Sequence, residues 1–145
     1  MLEAIHYLRK GILAKLSGAV TWKGQPVQAY NRVPSNAGYP YIIVYSVATN
    51  EIDQNQSALH IECITRIEVV DRAISDDGGQ LGVNSIMNQV LQLLRTRSIG
   101  YVDLTADGFN VYTSVSEGIT YLQDDTVDHT YYRAILELSN RIQPV

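Results

Sequence analysis

Leu81–Arg97 reads LGVNSIMNQVLQLLRTR, and its apolar residues Val83, Ile86, Met87, Val90, Leu91 and Leu94 recur at i, i+3, i+4, i+7, i+8 and i+11. That is the period of a helix carrying one apolar stripe. Asn84, Asn88, Gln92 and Arg95 fall on the other side, so the spacing predicts an amphipathic helix laid on a core. Arg95 and Arg97 sit in the last turn, where cations complement the carbonyl end, and Gly100 follows as a stop. Upstream, Asp76, Asp77, Gly78 and Gly79 place carboxylates near the free N–H groups of the helix start.

The segments flanking this helix have a period of two. Leu59–Val70 alternates Ile61, Cys63, Thr65, Ile67 and Val69 against His60, Glu62, Arg66 and Glu68, with Ile64 the exception, which predicts a strand with one buried and one wet face. Tyr39–Val47 is apolar in both parities and is expected to be a central strand covered on both sides. Between the two lies the polar stretch Ala48–Ser57, ATNEIDQNQS, which should project as a loop or extended hairpin tip. Downstream, Phe109, Val111, Thr113 and Val115 alternate, Ile119–Leu122 is a short apolar run, and Gln123–Asp125 is expected to turn the chain. The closing strand sets Tyr132, Ala134, Leu136 and Leu138 on one face and Tyr131, Arg133, Ile135, Glu137, Ser139 and Arg141 on a more polar one.

At the N-terminus, Leu2, Ile5, Leu8, Ile12 and Leu16 predict a second amphipathic helix that ends at Ser17 and Gly18. Gly11 inside it is unfavourable by about 1 kcal/mol relative to alanine. Lys23–Pro26 signals a turn, and Val27–Val33 could supply an edge strand. The order helix, strands, helix, strands predicts an α/β (α+β) fold, with an antiparallel or mixed sheet and both helices packed against it.

The chain has 145 residues, which fits a single domain over residues 1–145 whose one core needs no disulfide or metal. The lone cysteine, Cys63, excludes a disulfide framework and a multi-thiolate zinc site, and is compatible with synthesis in a reducing cytoplasm. No apolar run approaches the roughly 20 residues of a membrane-spanning helix, and charges at Glu3, Arg9, Lys10 and Lys15 interrupt any signal-peptide core. A soluble protein is expected. The net charge of −4 and scattered basic residues argue against tight nucleic-acid binding.

His60 and Glu62 spell the H-x-E of zinc deaminases, but the P-C-x-x-C that completes that site is missing. Cys63 beside a distant His6 or His129 could form a nucleophilic pair, yet its apolar parity predicts a buried, inert thiol. Asp124, Asp125 and Asp128 lack EF-hand spacing, since His129 and Ile135 stand where glycine and glutamate are needed. A solvated turn is the simpler reading. No phosphate-binding glycine motif occurs. The expectation is therefore no catalytic residue, no metal and no cofactor. Ten tyrosines against one phenylalanine and one tryptophan are the compositional oddity. Tyr41, Tyr45 and Tyr132 are expected to fill the core with their hydroxyls at its edge, while others face partners.

Taken in order, the N-terminal helix, VPSNAGYPYIIVYSV (33–47), HIECITRIEVVDRA (60–73), LGVNSIMNQVLQLLRTR (81–97) and LQDDTVDHTYYRAILELSNRI (122–142) resemble the bacteriophage tail terminator or tail-completion family. The resemblance covers nearly the whole chain and rests on degenerate, structural motifs. It implies a virion protein made in the host cytoplasm that assembles with itself into a hexameric ring at the head-proximal end of the tail tube. Such a ring ends tube polymerisation, docks a head–tail connector or head-completion protein, and lets DNA pass without sequence-specific binding. Contacts are expected from the polar stretch carrying Asn50, Glu51, Asp53, Gln54 and Asn55, and from Asp124 and Asp125; these positions follow from expected exposure. Two other readings stand beside it: a different neck or head-completion connector, and a small enzyme or ligand-binding domain using the His60 and Glu62 face.

Overall fold

A computed structural model describes residues 3–53, 60–74, 80–95 and 101–144. Helix α1 spans Ile5–Leu16 and buries Leu8, Ile12 and Leu16, the stripe that the spacing predicts. The Glu3 carboxylate accepts the Ile5 N–H at 2.9 Å, satisfying a free donor at the positive helix end. Gly18 closes the segment at φ +74°. Gly11 has a packing reason. A Cβ there would run into the Val102 side chain and lie 3.1 Å from Leu104, so the glycine lets the 101–104 segment cross the helix closely.

The chain then forms a small ribbon of β1 (Thr21–Trp22) and β2 (Gln25–Pro26), turned by Lys23 and Gly24, both at positive φ. Strand β3 (Gln28–Tyr30) is the expected edge strand, shorter than Val27–Val33, and runs parallel to the start of β4 (Tyr41–Asp53). Strand β4 pairs antiparallel with β5 (His60–Ile74) and continues to Asp53, so of the two forms expected for the polar stretch, loop or extended hairpin tip, Ala48–Asp53 takes the second. Residues 54–57 of that polar stretch lie outside the described residues.

Helix α2 (Leu81–Arg95) buries Val83, Ile86, Met87, Val90 and Leu94, with Leu91 at the margin. Asp76, Asp77, Gly78, Gly79, Arg97 and Gly100, the expected helix signals, lie outside the described residues. The Gln89 amide clamps the ribbon to α2, accepting the Thr21 N–H at 2.9 Å and donating to its carbonyl at 2.8 Å. After a 3-10 turn at Thr105–Asp107, β6 (Phe109–Asp125) and β7 (His129–Pro144) form a long antiparallel hairpin. Gln123–Asp125 remains in strand, and the chain turns over Thr126–Asp128, one step later than the sequence suggests. The reason is side-chain closure: Asp125 accepts from Thr130 Oγ1 at 3.0 Å, and Thr126 Oγ1 donates to the His129 carbonyl at 2.8 Å.

The fold is thus α+β, with a mixed five-stranded sheet ordered β3-β4-β5-β7-β6, the two-stranded ribbon, and an N-terminal and a central helix. Ile42 and Val44 of β4, Ile61, Cys63, Ile67 and Val69 of β5, and Ala134, Leu136, Leu138 and Ile142 of β7 join both helices in a common core. Burying each large aliphatic side chain contributes about 1.5–3 kcal/mol. The alternation predicted for Phe109–Val115 breaks. A bulge between Val111 and Thr113 swings Ser114 into the core and leaves Val115 exposed.

Candidate interaction surface

Both helices pack on the same side of the sheet, so residues of the other parity have only each other and solvent. This corrects the expectation for Tyr39–Val47. Ile42 and Val44 are buried, but Tyr41, Ile43 and Tyr45 are only half-buried on the open side. Tyr41 and Tyr45 therefore do not fill the core; Tyr132 alone of the three expected there packs against it. The apolar character of both parities marks one buried and one uncovered face.

Three ion pairs bridge β5 and β7 across this open face. Arg66 donates to Glu137 directly opposite, and also to the Tyr45 hydroxyl at 3.4 Å, with its guanidinium 5.8 Å from the Tyr45 ring centre. Arg133 Nη1 lies 3.5 Å from Glu68, and Arg141 Nε lies 3.9 Å from Glu62. The Arg66 guanidinium is held above its usual range by the Glu137 bond first and then by the Tyr45 hydroxyl. Solvent screens the arginine end of each pair, so the pairs add little to stability and their role is to fix side-chain positions on the face. At one end of the ladder the His60 Nδ1 and Tyr112 hydroxyl are 2.6 Å apart in hydrogen-bond contact.

At the other end the face dips into a groove of about 570 Å3, lined by Tyr39, Tyr41, Glu68, Val70, Leu122, Gln123, Asp124, Tyr131, Arg133 and Ile135. Tyr39 packs against Tyr41 and Tyr131 with centroid separations of 5.1 and 6.0 Å, and the Arg72 guanidinium stacks 4.6 Å from the Tyr39 ring centre. Burial, then the neighbouring Tyr39, raises the Tyr41 phenol above its ordinary value.

The contact residues expected from the sequence occupy two separate places. Asn50 and Glu51 are exposed on β4 opposite Glu62 and Ile61, and Asp53 ends the strand opposite His60. Gln54 and Asn55 lie outside the described residues. Asp124 and Asp125 are exposed on β6 opposite Tyr131 and Thr130, at the far end of β7 from Arg141, which faces Glu62. At ~3.3 Å per residue along β7, the two groups are roughly 30 Å apart. The sheet does not bring them together. The ion-pair ladder lies between them, and Asp124 itself lines the groove.

The chemical candidates separate as well. His60 and Glu62 sit on the open face, whereas Cys63 is fully buried on the other, its thiol pushed up to about 12 by burial first and then by Glu3 and Glu62. Such a thiol is protonated and unreactive. His6 is exposed on α1, and His129 stands at the β6–β7 turn. Among the described residues, no three His, Cys, Asp or Glu side chains converge as metal ligands, and no helix is long and apolar enough to cross a membrane. No protein-family model matches the chain, and no curated protein matches it significantly.

Proposed function

We propose that this chain is a structural subunit of a bacteriophage tail of the terminator kind. Copies close into a hexameric ring at the head-proximal end of the tail tube, stop tube growth and offer a docking surface to a head–tail connector or head-completion protein. The observation that carries this reading is the sheet covered by helices on one face only. Its other face keeps half-exposed Tyr41, Tyr45, Ile64 and Ile135, pinned by cross-strand ion pairs. A rigid, tyrosine-rich and mixed apolar–polar surface is what protein interfaces use.

The sheet edges support contact through the face over strand addition. Bulges interrupt β4 at Val47 and Ile52, and β6 at Tyr112 and again at Glu117 and Gly118, and such bulges blunt edge-to-edge pairing. A ring requires the face of one copy to meet a different surface of the next. Asn50, Glu51 and Asp53 at one end of the sheet, and Asp124 and Asp125 at the other, serve separate neighbours, one toward the tube and one toward the head. The net charge of −4 suits a lumen that DNA crosses without being held.

Mass photometry and negative-stain microscopy of the purified protein, alone and with its tail-tube protein, test the proposal. A closed ring is expected. A strict monomer under both conditions would remove it.

A further inference from the structure

The groove on the open face holds an electrostatic imbalance. Glu68 is only 8% exposed, yet its ion-pair partner, Arg133, stands 3.5 Å away. A charge-assisted hydrogen bond is about 2.7–2.9 Å long, and a carboxylate offers about four acceptor positions, so the Arg133 pair leaves Glu68 room for a further donor from the groove. Asp124, also lining the groove, makes no side-chain hydrogen bond or ion pair with the described residues. The lining itself carries two carboxylates against one guanidinium, a second guanidinium, that of Arg72, being held against the Tyr39 ring. Three tyrosines border the same space, their rings tilted by 46° and 59° about Tyr39, so that ring faces and carboxylates meet in one hollow. The protein already shows which group this cluster takes, because its own Arg72 stacks on Tyr39 at 4.6 Å.

We infer that this groove receives an arginine side chain presented by a partner protein. A planar guanidinium satisfies both demands at once: it stacks on a tyrosine face and donates in parallel to a carboxylate, whereas a neutral group forms only weaker, uncharged hydrogen bonds to Glu68 and an anionic group is repelled. The volume of about 570 Å3 accommodates the side chain with its flanking backbone and lies within the ~300–1,000 Å3 of ordinary binding pockets. Leu122 and Ile135 cover the aliphatic stem. This site stands whether or not the chain closes into a ring.

Ligand-observed saturation-transfer NMR on the full chain tests it with three blocked tripeptides, Gly-Arg-Gly, its citrulline counterpart and Gly-Glu-Gly. The arginine peptide should bind saturably, at least about tenfold more tightly than the isosteric but neutral citrulline peptide, as loss of charge-assisted bonds requires. Asp124→Asn, an exposed change that disturbs no described contact, should weaken arginine binding several-fold, as should Tyr131→Leu. Glu68→Gln should weaken it further, read alongside a circular dichroism spectrum because it also releases Arg133. Equal binding of arginine and citrulline, preference for the glutamate peptide, or no saturable transfer from any peptide would overturn the inference. A ring that forms normally but ignores arginine overturns this inference and leaves the assembly proposal untouched.

Discussion

Strand β7 presents two different surfaces from one backbone. Ala134, Leu136, Leu138 and Ile142 are fully buried beneath the helices, while Arg133, Ile135 and Glu137 stand half-exposed on the other side. The first set has no charged member and carries the stability of the fold. The second interleaves an aliphatic residue with charges already matched to β5, an arrangement that contributes little to folding and much to the shape and polarity of a surface. Stability and recognition are thus assigned to opposite parities of the same strands, so each can be perturbed alone.

Thiol chemistry exposes the contrast most sharply. Native Cys63 should react with a neutral alkylating reagent about a thousandfold more slowly than a thiol at the ordinary 9.0, since its pKa of about 12 cuts the thiolate fraction by that factor before burial adds its own barrier. Moving the thiol one residue, as Ile64→Cys with Cys63→Ser, should restore rapid labelling. Equal rates at the two positions would erase the distinction between the faces.

In urea denaturation, Leu136→Ala should cost ~2–5 kcal/mol through lost burial and a cavity, and Ile135→Ala next to it only about 1 kcal/mol. Gly11→Ala sharpens the account of the buried side. Helix propensity alone favours the change by about 1 kcal/mol, but the clash with Val102 should make it destabilising by ~1–3 kcal/mol. On the open face, a double-mutant cycle on Arg66 and Glu137 should return a coupling far smaller than the cost of either core substitution, and smaller still at high salt.

The smallest effect is a pH dependence at Asp71. Burial raises its carboxyl above 3.8, partly offset by the Arg72 N–H and by Lys23. The folded state then holds its proton more tightly than the unfolded chain, so this group's contribution falls as pH rises from 3.8 through the higher folded value and stays lower above it. Asp71→Asn should flatten that decline and slightly raise the thermal midpoint at neutral pH.

Both helices and the long strands could be read from periodicity, because burial on one side imprints the period directly on α1, α2, β5 and β7. What the sequence concealed follows from local exceptions to that rule. The bulge at Tyr112 shifts the parity as far as Ser116, where a second bulge restores it, so Thr113 and Val115 read as inward while Ser114 is the buried residue. Tyr41 and Tyr45 read as core because tyrosine is apolar enough to be buried and polar enough to be left half-exposed. A sign of the open face was nonetheless written in the charges. Glu62, Arg66 and Glu68 run in alternating sign, and Arg133, Glu137 and Arg141 run in the complementary one, so that pairing β5 with β7 sets opposite charges against each other. The groove had no such signature, since it joins Tyr39, Glu68, Asp124 and Tyr131 from four strands or strand ends whose adjacency depends on the sheet order.

The most direct trial places a charge on the open face without touching the core. Tyr45→Asp combined with Ile135→Asp should keep the wild-type circular dichroism spectrum yet, in mass photometry with the tail-tube protein present, give monomers where the wild type is expected to give closed rings. Rings formed by the variant as readily as by the wild type would contradict the assignment of this face to assembly.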